Sequence, residues 1–247
     1  MTATAVKQQV LELGGAFMLS REVRDFGNTV GVPGFHGTYT RGRGGVLGDV
    51  DADVVSAAFG FFEPGCVRAA WESVPMPAAD AAAAYLAACH DFGRRKLADF
   101  DEADAGRLAE LLGRVVDAAP SAGLPLFAGW RAMPLPGDGR AALVQVSHVL
   151  RELRGGLHFI AVTANGLTPL QAILIAGSPM SDGPTHARLL GWSEPFEEVT
   201  DGMRARWDAA EALTDELIAP CFEVLDTGER DELAMLLTAA HRVMLVR

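Results

Sequence analysis

A chain built largely from Ala, Leu and Arg, with few runs of β-branched residues, has little from which to make strands and much from which to make helices. Apolar residues recur at steps of three and four in one segment after another, which predicts an all-α fold. The 247 residues suffice for one large domain or two ordinary ones, and a hydrophobic content of 49% supplies a full core. No apolar run approaches the ~20 residues that span a bilayer. The first ten residues contain no compact apolar stretch ahead of a small-residue cleavage site. These features predict a cytoplasmic protein with no membrane partner. Cys66, Cys89 and Cys221 lie far apart without CxxC spacing, as free thiols in a reducing compartment do.

Punctuation divides the chain. Residues 5–26 read as one helix. Gly27 to Gly48 carries eight glycines together with Phe35, His36 and Tyr39, and reads as an ordered loop with a short helical turn. Helical spacing resumes over 51–62 and 66–71, with prolines as breaks. Amphipathic helices follow at 78–95 and 101–119. The Pro/Gly-rich stretch 121–139, holding Phe127, Trp130 and Met133, reads as a crossing segment. The clearest helix is 141–153. Gly155-Gly156 is expected to close it and to turn the chain, with 158–164 continuing as helix beyond. Thr168-Pro169 opens a helix over 169–176, and 177–184 reads as a loop. Segments 185–190 and 194–199 precede a long helix over 203–219. Asp226 with Glu229 forms a capping box for a helix over 227–246. A boundary near 177 divides the chain into residues 1–177, a helical ligand-binding or catalytic lobe, and residues 178–247, a smaller helical lobe. The two terminal helices offer Leu213, Leu217, Leu233, Leu236 and Leu237 to a second copy, which predicts a homodimer.

Two constellations carry chemistry. On the helix 141–154, Leu143, Val146, Leu150 and Leu153 form an apolar stripe, while His148, Arg151 and Glu152 share another face. Arg154 and His158 follow closely. Histidine titrates near neutral pH, so His148, Glu152 and His158 are candidate catalytic residues, with Glu152 orienting His148. The plain alternative is a solvated polar face with an arginine near the helix end. The second constellation is Tyr39-Thr40-Arg41-Gly42-Arg43-Gly44-Gly45. Its glycines admit a ligand close to the backbone and its arginines clamp carboxylate or phosphate. The alternative is a structural loop whose arginines satisfy carbonyls. The segment lacks the Lys-Ser/Thr end of a P-loop and the strand of a dinucleotide site, so it does not read as a nucleotide site. Tyr39, Arg41, Arg43, Trp130, Arg151 and Arg154 are candidate ligand-binding residues. The spacing contains neither HExxH nor a two-His facial triad, so no metal and no cofactor are expected.

The chain resembles the SalK-like helix-turn-helix family over most of its length. The resemblance rests on Tyr39 with Gly42-Arg43 and Leu47-Gly48, on Val54-Val55 through Phe59, Phe62 and Pro64, and on Ala70-Trp71. It continues at 125–129, at His148 with Leu150-Arg151-Glu152, Arg154-Gly155-Gly156 and His158, and at Gly191-Trp192-Ser193, Thr214-Asp215 and Ala219-Pro220. It implies a helical N-terminal lobe and a smaller winged-helix-like C-terminal lobe. Two departures stand out. Trp130 occupies a position where relatives tend to carry His. The segment between Trp192 and Met203 is short where relatives place a further helix and a β-hairpin wing, so the wing is expected to be shortened or lost.

Two functions follow as expectations. The first is a small-molecule-binding protein acting as a cofactor-independent enzyme, with the His/Glu/Arg cluster moving protons in an isomerisation, cyclisation or elimination. Its ligand would have an anionic or polar group and an apolar body. The alternative is a ligand-responsive regulator or binding module without turnover. The net charge of −11 and the short wing region weigh against DNA as a partner.

Overall fold

The structure, a computed structural model, describes residues 3–32, 34–178 and 180–245. The fold is all-α, with no strand among the described residues. Its axis is α9 (Gly139–Ala164), 26 residues long and so about 39 Å from end to end. Asp138 starts it by accepting the Ala141 N–H with its side chain. Most of the residues over 141–154 are buried, because α1 (Ala3–Gly15), α6 (Ala78–Lys96), α7 (Glu102–Ala118), α8 (Pro125–Arg131) and α12 (Asp201–Ile218) pack around it. The crossing of α1 is a close one. A Cβ added at Gly14 would land on the backbone of Ser147 and His148, so this crossing requires a glycine.

Around this centre, α2 (Arg21–Thr29) and α3 (Phe35–Gly44) cross the α6 side. Next come α4 (Ala52–Phe59) and α5 (Pro64–Ser73), then α10 (Pro169–Ala176) and α11 (Gly183–Leu189). The chain ends with α13 (Thr227–Leu245), opened by Asp226 and Glu229, whose side chains and backbone N–H groups bond reciprocally at 2.9 and 3.0 Å. One continuous apolar core runs from Val10 to Met244, and a smaller one gathers Ala161, Val162, Leu167, Ala172, Met203 and Ala210. Of the five leucines expected at a dimer face, Leu233, Leu236 and Leu237 are buried in the chain's own core, while Leu217 is exposed.

Five local expectations need correction. The helix expected over 5–26 is broken: a 3₁₀ turn at Ala16–Leu19 buries Phe17 and Met18, and the Ser20 hydroxyl then caps α2 by accepting the Val23 N–H at 3.3 Å. The expected glycine-rich loop contains the ten-residue helix α3, buried from Gly37 to Gly44. Its glycines are packing devices, since a Cβ at Gly42 would strike the Tyr85 ring and one at Gly45 the Ala78 carbonyl. The helix 141–153 does not close at Gly155-Gly156 but runs through both to Ala164. Residues 194–199 form no helix, and α8 lies inside the expected crossing segment. No single helix among the described residues is long and apolar enough to cross a membrane.

The two kinds of glycine on α1 and α9 give opposite expectations. Gly14→Ala forces α1 off α9 and should lower the free energy of unfolding by about 1–3 kcal/mol. A Cβ at Gly155 meets nothing within 4 Å, so Gly155→Ala should raise stability by about 0.5–1 kcal/mol through helix propensity alone. Urea denaturation of the two variants checks this, and equal effects would contradict the packing described.

Candidate functional site

Arg43 near the end of α3 reaches across to Glu152 on α9. Its Nε donates to Oε1 at 2.8 Å and its Nη2 to Oε2 at 2.7 Å, a two-bond fork. Both side chains are buried, Glu152 almost completely. Burial pushes the Glu152 carboxyl up, but the Arg43 guanidinium outweighs it and holds the group down at about 2. Burial likewise opposes the charge on Arg43, and Glu152 more than restores it. The guanidinium also lies over the Phe59 ring at 4.6 Å. A second guanidinium, that of Arg151, touches Glu152 Oε1 at 3.3 Å.

His148 sits one turn before Glu152 on α9 and is wholly buried. Its Nδ1 is 3.8 Å from Glu152 Oε1, an electrostatic contact too long for a hydrogen bond. Trp130 packs against it edge-on at 4.7 Å and Phe17 at 5.2 Å. Trp130 in turn donates its indole N–H to the Arg43 carbonyl at 3.0 Å. Burial drives the His148 pKa down to about 3 against the pull of Glu152, so the ring is neutral at pH 7. Arg41 points elsewhere, donating to the Met76 carbonyl at 2.9 Å and to Asp49 at 2.7 Å, over the ring of Trp71.

Beside the Arg43–Glu152 pair lies a cavity of about 510 Å³, within the usual range for a small-molecule site. The structure brings Tyr39, Arg43, Arg151, Glu152, Arg154 and His158 together on its lining, and leaves Arg41, Trp130 and His148 off it. Its apolar walls include Phe59, Phe61, Phe62, Phe127, Phe159 and Trp207. None of these was expected at a site, and no spacing rule separates core aromatics from cavity aromatics. Gly155 and Gly156 also line it, and the open space beyond Gly155 belongs to the cavity.

His158 closes one side. The Thr214 hydroxyl lies 2.7 Å from the Ala210 carbonyl, to which it donates, and 2.9 Å from His158 Nδ1. The other ring nitrogen, Nε2, lies 3.5 Å from Glu211 Oε1. Burial holds the His158 pKa down at about 4, against the pull of Glu211. Arg154 binds Glu211 through Nη2 at 2.9 Å, while its Nε is buried with no acceptor. Among the described residues no group of three or more His, Cys, Asp or Glu could hold a metal ion.

The model of a helix-turn-helix family matches residues 3–246. The chain belongs to this family. No curated protein and no solved structure matches the chain. Membership corrects the expectation of a cofactor-independent enzyme using His148, Glu152 and His158 for proton transfer, since a helix-turn-helix family points to a DNA-binding regulator. The geometry supplies a physical reason. His148 lies outside the cavity, and Glu152 is locked in an ion pair. The expectation that DNA is not a partner is corrected on the same ground, because net charge describes the whole surface and not the local face that meets the duplex.

The buried histidines make stability depend on pH. In the unfolded chain both titrate near 6.5. Folded, they stay neutral down to about 3 and 4. Between these limits the unfolded state binds more protons, so stability is full above about pH 6.5 and falls as the pH drops. Glu152 adds to the loss below about pH 4.5, in the same direction. His148→Phe should flatten the decline between pH 6.5 and 4, by up to about 1.4 kcal/mol per pH unit. Urea midpoints across that range measure it, and an unchanged slope would contradict the burial of a neutral His148.

Proposed function

We propose that this protein is a ligand-responsive, DNA-binding regulator, with α10 and α11 as its helix-turn-helix and the cavity as its sensor. The observation that carries this reading is that the two share a wall. Ile173 and Ala176 of α10, with His186 and Leu190 at α11, line the cavity opposite the polar residues of α9. A molecule that fills the space therefore presses on both short helices. A second link runs through α3. The His36 ring donates through Nε2 to the Leu189 carbonyl at the end of α11, at 2.7 Å, and the same helix carries Tyr39 and Arg43 into the cavity. A ligand that contacts one arrangement of α10 and α11 better than another shifts the balance between them.

The unit has the form such a role requires. A capping box of Thr168 and Gln171 opens α10, a bridge between Ser178 and Ser181 follows, and Asp182 caps α11. Arg188 and Leu189 of α11 are exposed, and Arg188 pairs with Glu194. Arg204 and Arg206 are exposed on the neighbouring α12. Within this reading, the helix-turn-helix straddles the boundary expected near 177, the irregular segment 194–200 stands where a wing would be, and the closer kinship is SalK-like. With a net charge of −11, binding to arbitrary DNA is weak and contact is confined to this face.

In a mobility-shift titration with the DNA upstream of its own gene, the protein should form a complex that survives ~150 mM salt and excess random DNA. Arg188→Ala should weaken it about tenfold. Equal affinity for specific and random DNA, or no complex at all, would refute the reading.

A further inference from the structure

Around the cavity the charge balance reverses that of the whole chain. Arg43, Arg151 and Arg154 line it, and Glu152 is the one carboxylate on its lining among the described residues. Arg43 is committed to Glu152 through two bonds. Arg151 is not: it touches the same carboxylate through a single 3.3 Å contact, and its side chain is 29% exposed. Two guanidiniums thus share one carboxylate and leave a single positive charge in excess. Arg154 is balanced at its far end by Glu211 and Asp215, yet its Nε–H is buried without an acceptor, an arrangement that is costly unless something fills it.

These groups share one place. Arg151 and Arg154 are three residues apart and so neighbours on the surface of α9. Gly155 lies beside them, with open space where its side chain would be. A glycine in mid-helix is about 0.5–1 kcal/mol less favourable than alanine, and no packing contact demands one here. It leaves room over the helix for a group that meets both arginines. Beyond that point the walls are aromatic, with Phe61, Phe62, Phe127 and Phe159 among them.

We propose that the cavity takes a monoanionic aromatic molecule, with its carboxylate or equivalent group between Arg151 and Arg154 and its apolar body among the phenylalanines. The inference rests on reading the cavity as the sensor site, and it adds the chemical class of what is sensed. One excess positive charge matches one negative charge. A dianion would bring a second charge into a largely apolar cavity without a partner.

The test uses two probes of one shape, biphenyl carboxylate and the neutral biphenyl carboxamide, titrated into the full-length protein at pH 7.5 by calorimetry. The carboxylate should bind at least about tenfold more tightly, the scale of a charge-assisted hydrogen bond. Arg151→Gln should shrink that preference below about threefold, and Gly155→Leu should weaken both probes. Equal affinities, or a preference for the carboxamide, would overturn the assigned class and leave the sensor reading standing. Failure of both probes to bind would also overturn it. The regulator reading fails by a different result, the absence of a specific DNA complex.

Discussion

The buried pairing of Arg43 with Glu152 is the interaction on which the rest of the site depends. It joins the short helix α3 to the central helix α9 at a point where both side chains are buried. Each group alone would be costly there, and removing one partner of such a pair typically costs about 3–5 kcal/mol. The pair is not the cheapest way to fill the space, since apolar residues of equal volume often serve stability as well. What it fixes is direction. It aims α3 so that Tyr39 lines the cavity and His36 meets the end of α11, and it leaves Arg151 with only part of a carboxylate.

The fold class was legible because helix-forming composition and apolar periodicity pointed the same way along the chain. The failures have identifiable physical causes. Gly42 in α3 and Gly45 just after it look like loop residues when propensity is summed locally. In the folded protein they let the helix lie against Tyr85 and Ala78, and that tertiary packing outweighs the local preference. Gly155-Gly156 resembled a helix terminus for the same reason. A C-cap needs a residue in the left-handed region, but both glycines keep helical geometry inside α9. Continuation of the helix then removes the turn expected to bring His158 back toward His148. The two imidazoles instead lie ten residues apart along one rod, about 15 Å.

The site was half legible. Spacing alone placed Arg151, Glu152, Arg154 and His158 close together, and the structure puts all four on one cavity. The partner of Glu152 was not legible, because helical spacing suggested His148 while a residue 109 positions away took the role. Spacing along a helix sees neighbours at three and four, and it is blind to another element arriving from outside. The same blindness hid the contribution of α10 and α11. Ile173 and His186 carry no sequence signal that ties them to Arg43, yet they close the opposite side of the same space.

The cavity that α9 and α3 furnish with charge is the same cavity that α10 and α11 help to line. Amide hydrogen exchange on the Gly155→Leu protein tests this without knowledge of the ligand. A leucine there fills part of the cavity from the α9 side and adds apolar contact to the far wall. Exchange over residues 169–189 should then slow markedly relative to the unaltered protein, since local opening of a short helix is governed by such contacts. Unchanged exchange in α10 and α11, with any effect confined to α9, would contradict the coupling of the cavity to these two helices.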